Sequence, residues 1–226
     1  EIKTVLLSEY ADSYVGLQTG DDPMFLAAFW EVKKIDHDIW EYLQSTPVQY
    51  SMFAGQSWLV RWEKGKGVLL SSTSVSTQPE KGAKAWGHKG IAMHRMRQIF
   101  AYLYAKERFH QNIAAIIPKN PSHLPALWCY CSSPEYQKAV RDIDQKLNVT
   151  NATLVKVPFD LEFWTKVARE KYPHGLPKPY SDDPTQWIFH GHPCGSVIWD
   201  EEKKWTAHGP LRTDATVLQV AVARLL

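Results

Sequence analysis

Five consecutive apolar residues, Ile113 to Ile117, end at Pro118. A short apolar run closed by a residue that cannot donate to a ladder is consistent with a buried strand. The residues upstream have the same tendency. Ile99, Ala101 and Leu103 alternate with Phe100, Tyr102 and Tyr104. Those letters also suit a helix, but the aromatic content of residues 91–109 favours extended chain. Trp58, Val60 and Trp62 alternate with Leu59 and Arg61 at strand period. Glu63-Lys64-Gly65-Lys66-Gly67 then predicts a turn into Val68-Leu69-Leu70, which makes a hairpin.

Helical signals alternate with these strands. Asp22-Pro23 followed by Phe25, Leu26, Phe29 and Trp30 predicts a short helix with an Asp cap and Pro at its first position. Ser133-Pro134-Glu135 caps a helix on which Tyr136, Ala139, Val140, Ile143 and Leu147 recur at helical spacing. Thr153 to Phe159 reads as a strand. Asp160 then caps a helix through Leu161, Trp164, Val167 and Ala168, stopped by Pro173 and Gly175. Beyond Tyr172 the chain is rich in Pro and Gly, with strand-like pieces at 187–190 and 196–199. The expected class is α+β, a mixed or antiparallel sheet with packed helices, plus a less regular C-terminal tail.

Composition excludes several alternatives. With 44% hydrophobic and 22% charged residues in 226, the chain is neither disordered nor collagenous and can bury a core. No apolar run approaches the ~20 residues that span a bilayer, so no membrane partner is expected. Three Cys give no disulfide framework and suit a cytoplasmic protein. The chain opens at Glu1 without Met and closes on an apolar stretch from Val217 to Leu226. It therefore reads as a fragment of a longer protein.

The net charge of +2 conceals an asymmetry. Between Lys64 and His110 there are nine Lys or Arg and two acids, Glu80 and Glu107; the remainder is acidic. A basic segment on an acidic body is what a phosphate-binding surface requires, and a solvated Lys-rich loop is the competing reading.

Other chemistry is poorly represented. Gly65-Lys66-Gly67 lacks the ending of a nucleotide-binding loop, and no Gly-x-Ser-x-Gly elbow occurs. Cys129 and Cys131 flank Tyr130 in an apolar stretch and read as packing. His190-Gly191-His192-Pro193-Cys194 is the sharpest metal candidate, since His190 and His192 share a face on extended chain. Gly191 and Pro193 favour a turn, however, and no metal is expected. Asp21/Asp22 and Asp182/Asp183 precede Pro and read as caps. No catalytic residues are assigned.

Several blocks together resemble one family. Gly16-Leu17-Gln18-Thr19-Gly20-Asp21-Asp22-Pro23-Met24-Phe25 with Phe29-Trp30-Glu31-Val32 looks like the "GlxTGdnxxFlrxWwEV" block of large bacterial adenine-specific DNA methyltransferases. These are the single-chain type II restriction–modification enzymes and their bacteriophage-exclusion counterparts. Tyr50 to Gln56 with Leu59 to Glu63, Trp86 to Ile91, Leu127 to Ser133 and Leu147 to Pro158 are similar to later family blocks, in order. The resemblance covers most of residues 14–200. It implies a connector from a missing N-terminal methyltransferase domain over residues 1–45, a target-recognition domain over 46–158, and a C-terminal helix and tail over 159–226. The family's Asn/Asp-Pro-Pro-Tyr/Phe tetrapeptide and glycine-rich S-adenosylmethionine loop are absent, and Asn120-Pro121-Ser122-His123 does not replace them. Leu147-Asn148-Val149-Thr150-Asn151 also departs from the family's Asn-Pro-Thr. The resemblance thus implies recognition of double-stranded DNA by this piece. The cofactor and adenine-N6 methyl transfer would belong to the parent enzyme of a restriction or phage-defence system.

Lys64, Lys66, Lys81 and Lys84 are the expected phosphate contacts. His88, Lys89, Arg95, Arg97 and Gln98 flank a predicted strand and are candidates for base or phosphate contact, with Arg95 and Arg97 on one face of extended chain. Lys119 and Asn120 are weaker candidates. Trp30, Trp58, Trp62, Trp128 and Trp164 are expected in the core, whereas Trp86, in a glycine-bearing loop, is expected to touch a ligand. Two other readings are a carbohydrate- or protein-binding module using exposed Trp, and a metal-dependent hydrolase built on His190 and His192.

Overall fold

A computed structural model describes residues 4–47, 51–72, 75–179, 183–185, 197–200, 202 and 205–208, the strands at 197–200 and 205–208 as backbone only. The class is α+β. Strands β1 (Ala11–Val15), β5 (Lys89–His94), β6 (Ala101–Ala105) and β8 (Ile113–Pro118) form one antiparallel sheet in the order β1-β8-β5-β6. A second sheet takes the order β2-β4-β3-β7, from β2 (Leu26–Ala28), β3 (Trp40–Gln44), β4 (Trp58–Arg61) and β7 (Arg108–Phe109). Its β3–β7 pair is parallel and the others are antiparallel. Strands β9 (Val197–Asp200) and β10 (Trp205–His208) form an antiparallel pair.

The uninterrupted run of β8 is explained by burial on both faces. Ala114 and Ile116, with Ile91 and Met93 of β5, join a core shared with the helices. Ile113, Ala115 and Ile117 face the other way, with Ala92, Tyr102, Tyr104 and Phe109. Every residue of β8 is therefore buried, and both strand periods are apolar. Residues 91–109 are extended as expected, apart from the loop at 95–100.

The helices cover the first face. Helix α3 (Leu124–Cys131) packs on α5 (Leu161–Lys171), and Trp128 Nε1 donates to the Tyr172 hydroxyl at 3.1 Å. Cys129 and Cys131 are buried in α3, as the apolar reading requires. Helix α4 (Pro134–Ile143) starts at the predicted cap, where Ser133 Oγ accepts from Tyr136 N. Asp160 likewise caps α5 by accepting from Phe163 N. These caps recover backbone donors that the first helical turn leaves without partners.

Four local expectations are corrected. The helix at Asp22 is a single turn, α1 (Asp22–Phe25), capped by Asp21 rather than Asp22; Leu26 already belongs to β2. Val68–Leu70 is not the second arm of a hairpin but part of α2 (Val68–Ser71). The Glu63 carboxylate accepts Val68 N at 3.2 Å, so the turn closes into helix. Thr153–Phe159 is not a strand: Thr153–Val155 forms a 3-10 turn, and only Pro158 makes a bridge, to Leu6. Asp144 organises this stretch by accepting from Lys146 N, Thr150 N and Thr153 Oγ1. Those bonds, led by Lys146 N–H, hold its carboxyl below its ordinary pKa. Finally, Trp30 and Trp58 are expected in the core but are 37% and 38% exposed; Trp58 opens β4, whose buried residues are Leu59 and Val60, and Trp30 lies beyond the end of β2.

Residues 1–45 supply β1, β2 and β3, so the segment expected as a connector is paired into both sheets. Among the described residues, no helix is long and apolar enough to cross a membrane.

Candidate nucleic-acid interface

Three basic turns meet at an aromatic stack. Trp62, at the end of β4, is buried and packs edge-to-face on Trp86, with ring centroids 5.5 Å apart. Arg108, from β7, lies over both rings, 4.0 Å from the Trp62 centroid and 4.7 Å from that of Trp86. Its guanidinium also pairs with Glu41 of β3. Cation–π attraction of this kind contributes about 1–2 kcal/mol when partly desolvated. Burial pushes the Arg108 pKa down to about 10.

The stack fixes what its neighbours present. Lys64 and Lys66 follow Trp62, and both are exposed. Lys64 has φ +54 and pairs with Asp38 at 2.8 Å on the surface. Lys84, His88 and Lys89 surround Trp86 in sequence and are exposed, while Lys81 is half-buried. Gly87 N donates to Lys106 O at 2.9 Å, which ties the Trp86 turn to the third turn, where Lys106 is exposed with φ +80. Residues 63–67, 81–89 and 105–108 therefore form a contiguous basic region of the kind that neutralises phosphates.

The remaining candidates separate from this group. Arg95 and Arg97 do not share a strand face, because β5 ends at His94. Arg95 turns inward, where Nη2 donates to Gln111 O at 2.8 Å and burial lowers its pKa. Arg97 has φ +55 and is held by its backbone, its N donating to Leu147 O and its O accepting from Arg141. Gln98 is exposed, and its carbonyl bonds the His94 ring. Lys119 Nζ donates to Ser8 O at 2.7 Å, and Asn120 caps the 3-10 turn Pro121–His123 through Ser122 N. Both are occupied structurally. Trp86 is partly buried and packs in the stack. His190 and His192 lie outside the described residues, among which no group of three His, Cys, Asp or Glu could hold a metal.

Gly67 is closely packed against the side chain of Glu63. A Cβ at Gly67 would lie 1.8 Å from the Glu63 carboxylate, so that side chain already fills the space.

The Gly16–Asp22 block also has a structural basis. Leu17 bridges His110 in parallel, and a Cβ on Gly16 would meet Phe109 O at 2.1 Å. Gly20 turns the chain at φ +77. Thr19 is buried and donates its hydroxyl to the Asp22 carboxylate, which also meets His110 Nε2 at 3.2 Å. The sequence marked this block only as a motif. Its partner His110 and the stacking role of Arg108 went unassigned, although both lie in the basic segment. A charge count does not show which side chain will find aromatic rings on a distant strand.

No protein-family model matches the chain, and no curated protein matches it.

Proposed function

We propose that the chain is a DNA-binding target-recognition fragment of an S-adenosylmethionine-dependent adenine-N6 DNA methyltransferase of a restriction or phage-defence system. The observation that carries the DNA-binding part is that the turns bearing the exposed Lys64, Lys66, Lys84, His88, Lys89 and Lys106 are tied together by the Trp62–Arg108–Trp86 stack and the Gly87–Lys106 backbone bond. Scattered solvating lysines need no rigid scaffold, whereas a phosphate-tracking surface does. The methyltransferase part rests on the ordered sequence blocks, and methyl transfer and cofactor binding fall to a separate catalytic domain.

Duplex binding by the 226-residue chain tests the proposal. Gel shift or fluorescence anisotropy should show binding that weakens steeply as salt rises, because phosphate contacts release counterions. Absence of duplex binding at low salt overturns it.

A further inference from the structure

A second feature lies beside the basic region. Asp22 and Pro23 of α1, Leu26 of β2, Ser45 and Thr46 after β3, Trp58 of β4, and His110 and Asn112 before β8 line an open pocket of about 390 Å³. That volume lies within the range of small-ligand sites.

Its polar groups differ in how they are committed. The Asp22 carboxylate is held by Thr19 and His110, yet its side chain remains 44% exposed. His110 is buried, its Nε2 meets Asp22, and Nδ1 has no hydrogen-bond partner among the described residues. An unpartnered buried ring nitrogen costs least as a bare lone pair, which puts the proton on Nε2, facing Asp22. The imidazole thus orients the carboxylate and leaves its remaining acceptor capacity open. Asn112 is exposed, and its side chain makes no hydrogen bond within the described residues. The Trp58 indole is half-open and has no ring partner there.

We propose that this pocket holds an adenine base, stacked on Trp58 and bonded through Asn112 and Asp22. A carboxamide offers one donor and one acceptor side by side, the pattern that matches adenine N7 and N6. The second N6 hydrogen requires a further acceptor, which Asp22 supplies. Guanine presents two acceptors on that edge, so a fixed carboxylate opposes it. Trp58 provides the π-face, with Pro23 and Leu26 as further apolar lining. Such a base comes either from a free nucleotide or from an unpaired position in a bound strand; the second source rests on the nucleic-acid reading above.

Two measurements distinguish the sources. Calorimetric titration of the chain with AMP, GMP, CMP and UMP tests the free nucleotide. Quenching of a fluorescein-labelled single-stranded oligothymidine carrying one adenine, compared with the same strand lacking it, tests the strand-borne base. Selective AMP binding assigns a free nucleotide; quenching without AMP binding assigns a base in a strand. In either case Trp58→Ala and Asn112→Ala should each weaken the response about tenfold or more. Trp58→Phe should restore most of it, and Lys166→Ala, on α5, should leave it unchanged. Thermal melts verify that each variant folds. Neither response, or a response insensitive to both Trp58→Ala and Asn112→Ala, overturns the pocket whatever the result with intact duplex. Loss of duplex binding with AMP binding retained overturns only the nucleic-acid reading.

Discussion

Arg108 lies 4.0 Å from the centre of the Trp62 ring and donates to Glu41 on the neighbouring strand. One guanidinium thereby joins β7, β3 and the turn after β4. A planar cation can cover two rings and still reach a carboxylate; an ammonium is a single point charge. Arg108→Ala should cost about 2–4 kcal/mol in urea denaturation, since it removes the cation–π contacts and strands Glu41. Arg108→Lys should recover less than half of that. If Arg108→Ala leaves the midpoint unchanged, the stack is not what fixes the three turns.

Two glycines separate steric need from backbone need. Gly87 has φ +81 and no atom near its missing Cβ, so Gly87→Ala should cost about 1–2 kcal/mol from the left-handed conformation alone. At Gly16 the obstacle is Phe109 O, 2.1 Å from the Cβ position, and backbone cannot step aside. Gly16→Ala should therefore lower the melting temperature further than Gly87→Ala. Equal losses would show that the Gly16–Asp22 segment does not lie against β7.

Alkaline pH should destabilise the fold. Burial raises the pKa of Tyr104, Tyr130, Tyr136 and Cys131 above their ordinary values, and moves Cys129 up to about 11. The native state then keeps protons that the unfolded chain releases. Their stabilisation is complete below the unfolded thiol and phenol values and is lost as pH rises beyond them. Arg108, lowered to about 10, and Arg95, also lowered by burial, act in the opposite sense but are two groups against five. The urea midpoint should fall from pH 8 to pH 11. Tyr136→Phe should flatten that fall while lowering stability at pH 8, because the bond from Tyr136 Oη to Leu154 O is lost.

Among the surface lysines, position decides the effect on duplex binding. Lys66→Ala, Lys84→Ala and Lys89→Ala should each reduce the slope of log affinity against log salt by about one. Lys119→Ala should leave it unchanged, because its ammonium is engaged by Ser8 O. Arg95→Ala should lower stability without altering sequence preference. A slope that responds equally to Lys119 and Lys84 would remove the basic region from the interface.

Local chemistry made part of this fold readable. Ser133 and Asp160 start helices because a side-chain oxygen three residues ahead satisfies a free N–H, a bond that needs no distant partner. The β8 run was legible because five apolar residues in a row leave no face for water. The basic segment was visible from charge alone. What failed depended on partners far along the chain. Val68–Leu70 has strand-like letters, and Glu63 folds it into a helical turn. Arg95 looked like a free reader until Gln111 O, across a loop, drew it inward.

The sequence by itself determined the starts of α4 and α5, the buried strand, the α+β class and where positive charge accumulates, since each follows from neighbours within a few residues. Tertiary structure decided which charges are free and which are spent. It placed Trp86 beside Trp62 under the Arg108 guanidinium, and it left Trp58 open beside Asp22 and Asn112. The reason is that desolvation and pairing are set by the strands a side chain meets, and no local period encodes that meeting.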